Sequence, residues 1–103
     1  KHTQRQLVEI VLSPTSPLIN RTVRESGFRD LYGAAIISIS REGSRIPGKV
    51  GDIEFRPGDT LLVEAGPSFV EKHKHSRDFL LVSALQDSAP PDFRRAPVSR
   101  PGM

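Results

Sequence analysis

The chain of 103 residues contains no cysteine. This absence excludes a disulfide scaffold, a thiolate metal site and thiol catalysis. No apolar run approaches the roughly 20 residues that span a bilayer, and no segment has the pattern of a signal peptide. Because the chain begins at Lys1 rather than with methionine, we expect it to be a piece of a larger protein.

Motifs that would indicate an enzyme are also missing. No serine lies in a Gly-x-Ser-x-Gly turn, and the glycines do not have dinucleotide or phosphate-loop spacing. His73 and His75 lie two residues apart, and a zinc site would need further ligands. Asp52 and Asp59 each follow a glycine, which is typical of turn aspartates rather than of an acid–base pair. We therefore expect no catalysis, no metal and no cofactor.

Basic and aromatic residues argue against nucleic-acid binding. The formal net charge is only +3, and the arginines are scattered along the chain. A nucleic-acid binder more often has a basic stripe interleaved with aromatics. Here the aromatics are few, and we expect four of them to lie in the core: Phe28, Phe55, Phe69 and Phe79.

Four short apolar runs predict the core strands, at residues 7–12, 34–41, 61–64 and 79–82. In the second strand, alternation places Ile37 and Ile39 on one face and Ile36 on the other. Glu42-Gly43 predicts a turn, after which Ser44–Pro47 begins a returning strand.

The segment Val50–Glu64 has two Gly-Asp turns around a short alternating strand, Ile53–Arg56. Gly51 and Gly58 can adopt positive φ, and Pro57 presets the first dihedral of its turn. This pattern brings a short strand back beside the buried strand that follows.

Two helices are predicted. The first begins with Asn20 as N-cap and ends at Gly27, and the second covers Ser68–His75. Phe28–Gly33 is expected to be an irregular turn or a short helical extension. The fold class is α+β, in the order β-α-β-β-β-α-β, with a short-stranded mixed sheet and two small helices.

Residues 7–86 are expected to form one domain, after a linker at residues 1–6. Residues 87–103 are rich in proline and arginine, so we expect a tail that is disordered or leads to a membrane segment.

Asn20, Arg21 and Arg24 lie at the predicted helix start, where free N–H groups favour anions. An ordinary cap with solvated arginines explains the same residues, and that alternative stays open.

The chain resembles a TrkA C-terminal (RCK-C) domain over roughly residues 7–74. The matching features are the first strand and the segments Leu12–Glu25, Phe28-Arg29, Tyr32–Ala34, Ile36–Arg41 and Ile53–Val63. The following segment, residues 78–91, resembles the one after the second such domain in divalent anion–sodium symporter permeases. There, tandem copies occupy a cytoplasmic loop between membrane helices.

The resemblance implies a regulatory module, often a dimer, that senses a ligand and biases the gating of a transporter or channel. In some members the ligand is cyclic di-adenosine monophosphate, bound across the dimer interface. Carried onto this chain, the candidate ligand site is Ile19, Asn20 and Arg21, with Arg24 added from the charge argument.

We therefore expect a cytoplasmic regulatory domain of an ion or anion transport protein, most closely a sodium-coupled anion permease. Its expected partners are the transmembrane domain of the parent transporter, a second copy or tandem TrkA-C copy, and a small anionic or nucleotide effector. Two alternatives stay open: a structural dimerisation module without a ligand, and a regulatory domain of a potassium transport system.

Overall fold

Within residues 5–85, which the computed structural model describes, five strands form one sheet, accompanied by three short α-helices and one 3-10 turn. The predicted α+β class is confirmed. The elements are β1 (Gln6–Leu12), α1 (Val23–Ser26), α2 (Phe28–Tyr32), β2 (Ala34–Arg41), β3 (Ser44–Arg45), the 3-10 turn (Val50–Asp52), β4 (Thr60–Ala65), α3 (Phe69–His73) and β5 (Phe79–Ala84).

The sheet has the order β3-β2-β4-β1-β5, and every pair of neighbouring strands is antiparallel. The expected mixed sheet is therefore wrong. β1 and β2 do run parallel to each other, as a strand–helix–strand order suggests, but β4 lies between them and pairs with both. Local sequence gives no sign of this insertion.

One face of the sheet carries the core. On β1, Val8, Ile10 and Leu12 are buried and alternate with more exposed residues, as a strand with one covered face requires. β4 matches this pattern, since Val63 lies opposite Val8. The four phenylalanines predicted to be internal are all buried: Phe28, Phe55, Phe69 and Phe79.

β2 departs from the predicted alternation at Ile37. The register against β4 shifts between Ile36 and Ser38, so Ile37 is the extra residue of an irregularity. Ile39 is fully buried and Ile36 packs against the core, whereas Ile37 is exposed. The prediction that Ile37 shares the face of Ile39 is therefore wrong.

Helix α1 begins later than predicted. Thr22, not Asn20, is its N-cap: the Thr22 side chain accepts from the Glu25 N–H, and the Glu25 carboxylate accepts from the Thr22 N–H. Asn20 has φ 73°, whereas an N-cap residue is usually extended. Gly27 ends the helix at φ 66°, as its predicted C′ role requires.

Of the two alternatives predicted for Phe28–Gly33, the helical one is the closer, but the segment is a separate helix and not an extension of α1. α2 starts directly after Gly27 and ends at Gly33, whose φ is also 66° and whose N–H donates to the Arg29 carbonyl. The described chain therefore has three short α-helices where two were predicted. α3 is shorter than the predicted 68–75 segment.

The segment at residues 53–56 does not join the sheet. Its backbone pairs instead with the chain at the start of α1: the Val23 N–H donates to the Ile53 carbonyl, and the Phe55 N–H donates to the Arg21 carbonyl. One isolated bridge links Thr22 and Glu54. The predicted strand is therefore wrong as a sheet strand, although Ile53 and Phe55 point inward as the alternation indicated.

A bidentate ion pair fixes the turn before β4. The Arg41 guanidinium donates to both Asp59 carboxylate oxygens at 2.7 and 2.8 Å, and to the Glu54 carbonyl at 2.9 Å. The Arg56 N–H also donates to Asp59. The Asp59 side chain is 0% exposed, so its negative charge is compensated by these donors within the protein. The hydrogen bond to Asp59 raises the pKa of Arg41.

An aromatic cluster joins α2, α3 and β5. His73 stacks near Phe69, with ring centroids 4.6 Å apart, and lies 5.4 Å from the ring of Tyr32. Tyr32 also donates its hydroxyl hydrogen bond to Asp78 at 2.8 Å. Burial, followed by the charge of Lys72, lowers the pKa of His73, against a smaller opposing effect of Asp78.

Strand β1 starts at Gln6, one residue before the predicted start. The predicted tail at residues 87–103 lies outside the described residues, as do residues 1–4 of the predicted linker.

We predict that Asp59→Asn lowers the free energy of unfolding by about 2–4 kcal/mol, measured by urea denaturation, because it turns an amide donor toward the donors of Arg41 and Arg56. The loss is smaller than for a fully buried ion pair because the Arg41 side chain is 36% exposed, so water can partly solvate it in the variant. Asp52→Asn is the matched control: Asp52 also follows a glycine, but its pair with Arg24 is exposed, so the loss should be below about 1 kcal/mol. Equal losses in the two variants would contradict the role given to Asp59.

We also predict an acid-dependent loss of stability from His73. Its folded-state pKa lies below the ordinary 6.5, so the folded state resists protonation. The share of the unfolding free energy that depends on a neutral His73 is fully present above pH 6.5. It is lost as the pH falls through 6.5 toward the folded-state pKa of His73. His73→Gln should flatten this fall in the unfolding free energy, whereas His75→Gln, at an exposed position, should retain it. An unchanged slope in His73→Gln would rule out this source.

Candidate functional site

A cavity of the described chain lies between α1, α2, β2 and the 3-10 turn. Its volume is about 330 Å³, within the range of small-molecule sites. We call it the arginine pocket. Its lining combines apolar side chains with two arginines: Val23, Arg24, Gly27, Phe28, Arg29, Ala34, Ala35, Ile36, Val50 and Gly51.

The break between α1 and α2 brings the two arginines to one pocket. Arg24 and Arg29 are five residues apart, a spacing that does not share a face on one continuous helix. Gly27 adopts φ 66° and serves as the end of α1 and the start of α2, so the chain changes direction between the arginines. Both side chains then line the same cavity.

Arg24 is held at the pocket by the 3-10 turn. Its guanidinium forms an exposed ion pair with Asp52 and lies against the backbone of Gly51. A Cβ atom at Gly51 would lie 2.8 Å from a terminal nitrogen of Arg24, so glycine permits this approach. An exposed ion pair contributes little stability, so an incoming anion can exchange with Asp52 at small cost.

Arg29 has no such partner. Among residues 5–85, its side chain makes no ion pair and no hydrogen bond, and it is exposed. The pocket therefore has one arginine that is paired at its rim and one whose donors face solvent. Beneath them, Val23, Phe28 and Ile36 provide an apolar lining. This combination suits an anion that also carries an apolar or aromatic body.

The structure separates the residues of the sequence-based site. Arg24 lines the arginine pocket, but Ile19, Asn20 and Arg21 do not. Ile19 packs against the core, and the Asn20 side chain accepts a hydrogen bond from Arg56 at 3.3 Å. Ligand binding by these three residues stays a prediction.

The backbone donors near Asn20 are already engaged. The Asn20 N–H donates to Phe55, the Arg21 N–H to Leu18 and the Val23 N–H to Ile53, while Thr22 and Glu25 cap each other. The N–H groups of Val23, Glu25 and Ser26 therefore all have partners within the protein, so this four-residue helix does not present the row of free N–H groups that an anion would need.

Sequence reasoning missed Arg29 and the contact of Gly51 with Arg24. The only signal was Gly27, since a helix break there allows arginines five residues apart to meet. The Phe28-Arg29 pair was identified as part of the family pattern but was given no role.

A smaller cavity, of about 150 Å³, lies beside the aromatic cluster. Arg5, Lys72 and His73 contribute to its lining. Its volume is below the range of most ligand pockets, so the arginine pocket is the stronger candidate. Within residues 5–85, no group of three or more His, Cys, Asp or Glu residues is placed to hold a metal ion, and no helix is long and apolar enough to cross a membrane.

Comparison with known proteins identifies relatives among transporters. The chain is 42% identical over 88% of its length to sodium/sulfate cotransporter 1 of Chlamydomonas reinhardtii. It is 45% identical over 84% of its length to a protein named probable sodium/sulfate cotransporter 3 from the same organism. The uncharacterized transporter YfbS of Escherichia coli (strain K12) is 33% identical over 88% of the chain. The chain spans only 10% to 15% of the length of these three relatives.

The model of the TrkA-C domain family matches residues 7–72, from the second residue of β1 to the residue before the end of α3. The match includes both arginines of the pocket and the Arg41–Asp59 pair. The resemblance identified from the sequence is confirmed, and the chain belongs to the TrkA-C domain family.

Proposed function

We propose that this chain is a non-catalytic, ligand-sensing regulatory domain at the cytoplasmic face of a membrane, within an ion or anion transport protein. A sodium-coupled anion permease is the parent that the relatives favour, since two of them are named as sodium/sulfate cotransporters. The proposed domain covers residues 7–86. The domain family and the small share of the relatives that it covers support this role.

The observation that carries the sensing role is the arginine pocket. Its two guanidinium groups lie above an apolar lining in a cavity of about 330 Å³. A guanidinium binds phosphate, sulfate or carboxylate through paired N–H donors. The apolar lining favours an anion with an organic body, so a nucleotide is a better candidate than a bare inorganic ion.

Binding would act through the Arg24–Asp52 pair. This pair links α1 to the 3-10 turn, and the turn precedes the segment that hydrogen-bonds to the chain before α1. An anion that replaces Asp52 as the partner of Arg24 favours an arrangement in which the turn is released. The effector then shifts the equilibrium of the attached membrane domain by its difference in affinity for the two arrangements.

The partners follow from this role. The transmembrane domain of the parent transporter receives the signal, and a second copy of the chain or a tandem TrkA-C copy pairs with the domain. A potassium transport system is an alternative parent. A structural dimerisation module without a ligand is the alternative function.

We predict that an organic anion raises the midpoint of thermal unfolding of the 103-residue chain, because it binds the folded state only. The panel is AMP, cyclic di-adenosine monophosphate, sulfate and potassium ions. For the anion that binds, isothermal titration calorimetry should give about tenfold or greater weakening in Arg29→Gln, since a charge-assisted contact is lost. Arg24→Gln should weaken binding less, because Arg24 must first leave Asp52.

Arg21→Gln is the matched control. Arg21 is an exposed arginine outside the pocket and should leave the affinity unchanged. Loss of binding in Arg21→Gln but not in Arg29→Gln would move the site to the Asn20-Arg21 segment. No stabilisation by any member of the panel would favour the structural module.

A further inference from the structure

Strand β5 forms one edge of the sheet and differs from the opposite edge. At the opposite edge, β3 has two residues, Ser44 and Arg45, and Pro47 follows closely. β5 has six residues with the sequence FLLVSA. It contains no charge, proline or glycine, which are features that protect an edge strand from pairing. Its ladder with β1 has one register shift, at Leu80, so Leu81–Ala84 is its regular part.

In the regular part of this edge, the backbone groups that do not face β1 are those of Val82 and Ala84. In the β1–β5 ladder, Leu85 donates its N–H to the Leu7 carbonyl, so the hydrogen-bonded positions of β5 continue at Ser83 and Leu81. The residues between them, Val82 and Ala84, direct their N–H and C=O groups away from β1. Within residues 5–85, no strand lies on that side of β5.

We propose that this edge pairs antiparallel with β5 of a second copy of the chain, around a two-fold axis at Ser83. In this register Val82 lies opposite Ala84 of the second copy, and the reciprocal pair is equivalent by symmetry. Each pair exchanges two hydrogen bonds, so both open residues of each copy are satisfied. The two sheets join into one.

The exposed leucines favour this register. Leu81 is 47% exposed and Leu85 is 37% exposed, and both lie on the face of the sheet opposite the core. A two-fold axis at Ser83 places Leu81 opposite Leu85 of the second copy, twice. Cross-strand apolar pairs stabilise a sheet. A shift of the axis to Val82 would place Leu81 opposite serine instead.

A second copy of the chain is the partner that fits this edge, because β5 is complementary to an identical antiparallel strand. No charged side chain in β5 repels an identical strand, and the apolar surface continues onto β1 through Leu7, which neighbours Leu85. Edge pairing of this length buries less area than a standard stable interface, so the association is weak and depends on concentration. It does not rest on effector binding, since β5 lines neither cavity.

The test is sedimentation velocity of the 103-residue chain over a range of concentrations up to about 1 mM, the regime of weak association. We expect a monomer–dimer equilibrium. Ala84→Pro should weaken it by roughly tenfold or more, because proline removes an edge donor from each copy and places its ring there. Ala84→Ser keeps the donor and should leave the equilibrium unchanged.

A second pair of variants tests the leucines. Leu81→Lys places charges in both cross-strand pairs and should also weaken the dimer. Leu31→Lys makes the same change at a leucine that is 61% exposed on α2, and should not. Circular dichroism and the midpoint of thermal unfolding establish that each variant is folded.

Amide hydrogen exchange locates the contact. Exchange at Val82 and Ala84 should slow as the protein concentration rises. A monomer at every concentration would overturn the proposal. So would a dimer that survives both Ala84→Pro and Leu81→Lys, or protection of these two amides that does not change with concentration, since the edge would then be covered within one chain.

Discussion

The ion pair between Arg41 and Asp59 joins the parts of the structure on which the arginine pocket depends. Arg41 ends β2, and Asp59 precedes β4 in a turn where Gly58 adopts φ 83°. Arg41 also holds the carbonyl of Glu54, and the segment around Glu54 hydrogen-bonds to the chain that leads into α1. The position of α1, and with it Arg24, is therefore set by a carboxylate that is wholly buried.

The sequence predicted those parts of the fold that local pattern determines. Apolar runs predicted the strands, and Gly27 and Gly58 act as turn residues because both adopt positive φ. The errors arise where distant segments compete for the same backbone. Asn20 adopts φ 73° and bonds its N–H to Phe55, 35 positions along the chain, so the helix begins later, at the Thr22 cap. Ile37 is exposed because β2 shifts register against β4. Neither contact leaves a local signal.

The candidate site was predictable only in part, for the same reason. The sequence indicates Arg24 because it lies near a predicted helix start. In the structure, the ion pair with Asp52 in the 3-10 turn and the close approach to Gly51 place it in the pocket. Arg29 was missed because the sequence predicts a helix end at Gly27 but not the direction that the chain takes after it. Asp59 was correctly interpreted as a turn residue, but its bidentate partner Arg41 lies on another strand.

The pocket and the open sheet edge lie on different parts of the molecule. Residues Ala34–Ile36 of β2 line the pocket, and β5 lies at the far edge, beyond β4 and β1. Effector binding and strand pairing therefore do not compete for residues. Backbone amide NMR of the 103-residue chain, titrated with AMP or cyclic di-adenosine monophosphate, shows whether the arginine pocket binds an organic anion. If it does, saturable shifts will be centred on Arg24, Gly27, Arg29 and Gly51. Shifts centred on Asn20 and Arg21, or no saturable shifts with either nucleotide, would rule out binding in the pocket.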